Sequence, residues 1–248
     1  MITAGGSGLG AEIAQQLRSA GHRVLITDVD DDLLSDWRRR EPDIRTRCID
    51  AADSRATEEA VAELHEDTGR IDVLVNNAGI PGPRAPLEAI EADEWRRAFD
   101  VNLHGAFFAM KSVIPFMKAR RAGAIVNIST TSARTGLPNR SAYVVSKVAL
   151  EGLTRNAARE LGPYNIRCNA VLPGYMDNPR GRALITKHAE ENGISEEAAR
   201  EKFLRFISMR SMIGMDEVAG MVAFLCSNAA RHVSGQLIGV CGNQEYEV

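Results

Sequence analysis

Met1-Ile2-Thr3-Ala4-Gly5-Gly6-Ser7-Gly8-Leu9-Gly10 runs without a break into Ala11-Glu12-Ile13-Ala14-Gln15-Gln16-Leu17. Leu9, Ile13, Ala14 and Leu17 recur with the period of a helix. Glycines just ahead of a helix let the backbone approach an anion, and the free N–H groups and helix dipole bind it. A pyrophosphate is the natural guest. Arg23-Val24-Leu25-Ile26-Thr27-Asp28 then reads as a buried strand ending in an acid. That acid stands about 20 residues past the turn, where a ribose-binding carboxylate belongs. It would accept hydrogen bonds from both ribose hydroxyls and repel a 2′-phosphate. No Arg or Lys follows Asp28 at once, so NAD is favoured over NADP. Only Met1, Ile2 and Thr3 remain to build the strand before the turn, where five or six residues are usual. The expectation is that the natural chain begins upstream.

Outward from this stretch the pattern alternates. Helical periodicity closes near Trp37 and covers 55–68, 91–121 with a break near Asp100, 142–161 and 216–227. Short apolar runs at 44–49, 71–75, 124–128, 167–172 and 236–240 read as strands. Apolar strands alternating with helices predict an α/β parallel sheet covered on both faces. Ligands of such sheets bind beyond the strands' carboxyl ends. Gly5–Gly10, Asp28, Asp50, Asn77, Ser129–Ser132 and Pro173-Gly174 all fall there. With no linker, repeat or low-complexity segment, residues 1–248 read as one domain.

The helix predicted at 142–161 opens with Tyr143 and Lys147, four residues apart and so on one face. A tyrosine titrates near pH 10, and a neighbouring cation favours its phenolate. Reaching pH 7 takes roughly 3 pH units, or about 4 kcal/mol. One lysine does not supply that, so a second cation is expected nearby.

Composition excludes several other classes. With 44% hydrophobic and 25% charged residues and a net charge of −3, nothing points to nucleic acid or an anionic membrane. No apolar run reaches the about 18 residues of a membrane span, and the first residues are not a secretory leader. Cys48, Cys168, Cys226 and Cys241 lack paired or metal-like spacing; they read as buried free thiols in a reducing compartment. A cytoplasmic, metal-free protein is expected.

Taken in order, Thr3–Gly10, Asn76-Asn77-Ala78-Gly79, Asn102 in Val101-Asn102-Leu103-His104-Gly105, Tyr143-x-x-x-Lys147 and Pro173-Gly174 resemble the short-chain dehydrogenase/reductase family over essentially the whole chain. The resemblance implies a doubly wound, Rossmann-type sheet of about seven strands in three α/β/α layers. It also implies a nicotinamide cofactor, alcohol–carbonyl interconversion, and a homotetramer (or homodimer) built on the helices at about 100–121 and 142–161. By that resemblance Tyr143 is the general acid/base. Lys147 holds the nicotinamide ribose and lowers the Tyr143 pKa, with the oxidised nicotinamide as second cation. Asn102 orders the helix and a proton-relaying water. The turn with Gly5, Ser7, Gly8 and Leu9 would take the pyrophosphate. Asp50 with Ala51 would meet the adenine, and Asn77, Ala78 and Gly79 its ribose. Pro173, Gly174 and Met176 would touch the nicotinamide.

The chain departs from the family pattern in three places. Ala4 replaces a motif glycine. The catalytic serine position, thirteen residues before Tyr143, is Thr130, flanked by the alternatives Ser129 and Ser132. Asn178 replaces a threonine and would bond the nicotinamide carboxamide. Residues 175–212, charged and irregular, read as a substrate lid. Arg84, Arg134, Arg140, Arg180 and Arg182 lie in loops at this end and would suit an anionic or polyhydroxylated small-molecule substrate. His104 reads as a packed helix residue rather than a catalyst. The first reading is an NAD-dependent alcohol, hydroxy-acid or sugar dehydrogenase. The alternatives are an NADP-linked carbonyl or 3-oxoacyl-type reductase and a non-catalytic NAD-binding sensor or scaffold.

Overall fold

The computed structural model describes residues 1–245. Its elements run β1 (Ile2–Thr3), α1 (Gly8–Ser19), β2 (Leu25–Asp28), α2 (Asp31–Arg40), β3 (Arg45–Cys48), α3 (Ser54–Thr68) and β4 (Val73–Asn76). They continue through α4 (Ala92–Phe99), α5 (Gly105–Arg120), β5 (Gly123–Ile128), α6 (Ser132–Thr135), α7 (Ser141–Leu161) and β6 (Ile166–Pro173). The last are α8 (Pro179–Asn192), α9 (Glu196–Leu204), α10 (Met215–Cys226) and β7 (Leu237–Val240). The sheet order is β3-β2-β1-β4-β5-β6-β7, with every pairing parallel. The order reverses direction beside β1, so the crevice for a ligand opens above β1 and β4.

Side-chain alternation along the strands supplies two cores. Ile26, Val73, Val75 and Val126 point to one face with Ile13, Trp37 and Val222. Leu25, Leu74 and Ile125 point to the other with Val61, Val113 and Leu161. Each strand is buried on both sides, which is why its sequence is continuously apolar. The edge strands are the exceptions: β3 exposes Arg45, Arg47 and Cys48, and β7 is only half-buried. Cys48 is therefore a surface thiol, contrary to the expectation of buried cysteines, whereas burial pushes the Cys168 thiol up to about 12.

β1 is as short as the sequence indicates, and its two residues pair with both neighbours at Ile26, Thr27 and Val75. The Met1 nitrogen is buried and donates to the Val73 carbonyl at 2.9 Å. A cavity of about 600 Å³ lies at this foot of the sheet, against Met1, Val24 and Asp72. It is at the strands' amino ends, away from the glycine turn.

The helix break expected near Asp100 is a π-helical turn, Asp100–His104, between α4 and α5. His104 is exposed rather than packed, its Nδ1 2.9 Å from Asp100. The 175–212 segment is not irregular: α8 and α9 pack together over Ile185, Ala189 and Ala199. Their start signals were present in the sequence. Asn178 accepts from the Gly181 N–H as the N-cap of α8, with Pro179 in the first helical turn.

Candidate active site

The glycine turn is held from three sides. Gly6 N–H donates to Asp28 Oδ2 at 2.9 Å, and Trp37 Nε1 donates to the Gly6 carbonyl at 2.9 Å. Asn77 Nδ2 donates to the carbonyls of Thr3 and Ala4, while Thr3 Oγ1 accepts from the N–H groups of Asn77 and Ala78. A β-carbon on Gly10 would lie 2.2 Å from the Ala4 carbonyl oxygen, so that position admits only glycine. Ala4 itself takes φ +49°, a conformation glycine adopts at less cost. Around Gly8 the space is open, and the N-cap residue Ser7 makes no side-chain cap to α1. The N–H groups of that first turn thus face outward beside Asp28. An anionic group with an adjacent diol, such as a dinucleotide's pyrophosphate and ribose, fits this cradle.

The other cofactor positions are more committed than the sequence suggests. Asp50 spends one oxygen on the Ala52 N–H and the other on Arg97 at 2.7 Å. Burial raises its carboxyl, but those two partners outweigh it and hold it below the usual range. The Asn77 side chain braces the turn instead of projecting from it. The Asn178 oxygen is used in capping α8. Pro173 accepts at its carbonyl from Thr131, and Gly174 approaches Cys241 so closely that a β-carbon would lie 2.7 Å from it. Met176 pairs with Ile213 at the lid's base.

On α7, Ser146, Lys147, Glu151 and Thr154 form a buried polar stripe, three of them bonded to the carboxyl end of β5. Each has a partner, as buried polar groups must. Lys147 is 3% exposed, its Nζ donating to the Ile128 carbonyl at 2.7 Å. Ser129 Oγ donates to Glu151 Oε1 at 2.9 Å, which turns Ser129 away from Tyr143. Asn102, fixed in the π-helical turn, donates to Ser146 Oγ and the Ile80 carbonyl and accepts from the Ile80 N–H. It thereby ties the loop after β4 to α7.

Of the three candidate hydroxyls, Thr130 is the one that acts on the Tyr143 phenol. Ser132 Oγ lies behind it, 3.4 Å from Thr130 Oγ1. Burial raises the Tyr143 pKa above its ordinary value; Thr130, Arg180 and Arg140 act against that rise. Lys147 is not among those groups; its Nζ is given to the Ile128 carbonyl. In the protein alone the cations acting on the phenol are Arg180 and Arg140. Neither was read from the sequence as a partner of Tyr143, because one lies just before α7 and the other opens α8.

Thr130 lines a cavity of about 220 Å³, walled by Arg84, Arg140, Gly174 and Tyr175 and by Leu184 and His188 of α8. Arg134 and Arg182 take no part: the first donates to the Leu237 carbonyl, the second to Asp177. Among the described residues, no group of acidic, histidine or cysteine side chains is arranged to hold a metal ion. No described helix is long and apolar enough to cross a membrane.

A family model described as enoyl-(acyl carrier protein) reductase matches residues 3–242. Levodione reductase of Leifsonia aquatica is 32% identical over 98% of this chain and 92% of its own. Cis-4-hydroxycyclohexanecarboxylate dehydrogenase of Sinomonas cyclohexanicum is 35% identical over 98% of this chain and 94% of its own. The crystal structure of NAD⁺-bound xylitol dehydrogenase superposes with a TM-score of 0.89 at 29% identity, covering 97% of this chain and 96% of that one. The glycine turn, the π-turn asparagine, the Tyr143–Lys147 helix and these matches agree: the chain belongs to the short-chain dehydrogenase/reductase family, oxidoreductases of CH–OH and carbonyl groups.

Proposed function

We propose that this chain is an NAD-dependent dehydrogenase that interconverts a secondary alcohol and the corresponding carbonyl compound, with Tyr143 as general acid/base. The observation that carries the reading is Thr130, on the wall of a small cavity and acting on the Tyr143 phenol, with buried Lys147 one helical turn on from Tyr143. When bound, the nicotinamide supplies the hydride chemistry. In the oxidative direction Tyr143 takes the hydroxyl proton of the alcohol, and in the reductive direction it returns one to the carbonyl oxygen. Thr130 Oγ1 holds the substrate oxygen beside the phenol by hydrogen bonding. Lys147 Nζ is available to a ribose hydroxyl in place of the Ile128 carbonyl. Asn102 keeps the loop after β4 and α7 in register.

The choice of NAD rests on Asp28. Its carboxylate stands at the end of β2, bonded to the turn, and no described ion pair neutralises it. A 2′-phosphate there would meet an unpaired anion. Relatives of known structure include both an NAD⁺-bound xylitol dehydrogenase and a polyketide ketoreductase with NADPH, so the reading of NAD rests on Asp28 rather than on likeness. The reading is of a cytoplasmic enzyme, which the four unpaired cysteines suit.

A screen of secondary alcohols with NAD and with NADP tests both halves. Tyr143→Phe is expected to lower turnover by about 10²- to 10⁴-fold while NAD binding stays within twofold. Asp28→Ala is expected to weaken NAD and narrow the preference over NADP. Full activity in the first variant sinks the proton-transfer role; a wild type that prefers NADP sinks the role given to Asp28.

A further inference from the structure

Two guanidinium groups, Arg84 and Arg140, line the cavity beside Thr130, and a third, Arg180, acts on both Arg140 and the Tyr143 phenol. Arg84 comes from the loop after β4, Arg140 directly precedes α7, and Arg180 lies in the first turn of α8. Arg140 is partly buried and fixed, its Nη1 donating to the carbonyls of Pro81 and Gly82 at 3.4 and 3.2 Å. Arg84 and Arg180 have no hydrogen-bond or ion-pair partner among the described residues. Elsewhere the arginines around this site are spoken for, Arg97 by Asp50 and Arg182 by Asp177. The acid on the cavity wall, Glu191, already faces Lys187 at 3.7 Å. His188 adds a buried Nε2 with no hydrogen-bond partner.

Solvated loop arginines repel one another little, because water screens them. Arg140 is not so placed. Burial first, and then the charges of Arg180 and Arg84, hold the Arg140 guanidinium below its ordinary value. Positive charge is therefore concentrated around a partly desolvated Arg140, with no acid paired to it. A planar anion fits that gap, since guanidinium binds carboxylate through paired N–H donors. Because the same cations act on Tyr143, such an anion would lie within one small molecule's length of the reacting oxygen.

We propose that Arg84, Arg140 and Arg180 form a seat for a carboxylate on the substrate, so that the enzyme acts on hydroxy acids or their keto acids. This rests on the dehydrogenase reading, and the test separates the two. The NADH complex is titrated calorimetrically with benzoate and with benzamide, which differ in charge but hardly in shape. Benzoate is expected to bind at least tenfold tighter than benzamide, and that preference to shrink tenfold or more in Arg84→Gln/Arg180→Gln. Both arginines are exposed and unpartnered, so the variant is expected to fold, and circular dichroism checks that it does. Equal binding of the two probes, an unchanged preference in the variant, or displacement of NADH by benzoate would each overturn the seat. Turnover of neutral ketones without any charge preference removes the seat and leaves the dehydrogenase. A charge preference in a wild-type chain that oxidises no secondary alcohol leaves the seat and removes the dehydrogenase.

Discussion

The Lys147 ammonium is buried among neutral groups, and that burial alone lowers it from 10.5 to about 8. Its folded-state value lies below its unfolded one, so the proton favours unfolding. Below pH 8 the lysine is charged in both states and the folded chain bears the whole cost, on the order of 3 kcal/mol. Between about 8 and 10.5 the folded chain gives up its proton first, the cost fades, and above 10.5 it is gone. Lys147→Met is therefore expected to stabilise the cofactor-free protein at pH 7 by about 1–2 kcal/mol, because the freed Ile128 carbonyl offsets part of the gain. The difference should close as pH rises through that window, and urea midpoints measured from pH 7 to 10.5 check it. A difference independent of pH would mean that the burial cost belongs elsewhere. Turnover should fall despite the added stability. The pair itself was legible because an i, i+4 spacing is local. The company it keeps was not: Thr130, Arg140 and Arg180 meet Tyr143 only after β5, α7 and α8 have folded together.

Helices α8 and α9 show what composition conceals about an element. Between Tyr175 and Met212 the apolar residues are sparse, and arginines, glycines and a proline interrupt them. Periodicity is weak because the pair buries only a small satellite cluster, Ile185, Ala189 and Ala199, with Tyr175 and Phe203 stacked at 5.1 Å beside it. The cap was the better signal, with Asn178 before Pro179 marking a helix start whatever follows. That cap also predicts how the lid behaves. Asn178→Ala removes the oxygen that accepts from Gly181 N–H, at a cost of about 1 kcal/mol confined to the first turn of α8. Hydrogen exchange of α8 amides should quicken about fivefold, with β4, β5 and β6 unaffected. Uniform quickening across the sheet would show instead that the lid and the core open as one unit. By contrast, the break between α4 and α5 was visible at Asp100, but not its π-helical form, which depends on where Asn102 must point.

At the scale of the molecule, alternation of strands and helices made the parallel sheet legible, whereas the order β3-β2-β1-β4-β5-β6-β7 came from the structure. What alternation does not reveal is which apolar helix faces meet the chain's own sheet and which are left over. On α7, Val144, Val145, Val148 and Ala149 are as apolar as the residues beneath them, and sequence alone does not sort them. The fold does: Val145 and Val148 are 43% and 46% exposed, and Phe107 on neighbouring α5 is 46% exposed. Large apolar side chains gathered on two adjacent helices favour a further surface against them. We propose that α5 and α7 pack against the same helices of other copies in a homotetramer. Light scattering at micromolar concentration should give four chains' mass for the wild type and a smaller assembly for Phe107→Glu/Val148→Glu, in which buried carboxylates would lack partners. A wild type with a single chain's mass would sink the proposal. Since α7 also carries Tyr143 and Lys147, loss of its outer support should lower turnover in step with dissociation, and dilution of the wild type should reproduce that loss.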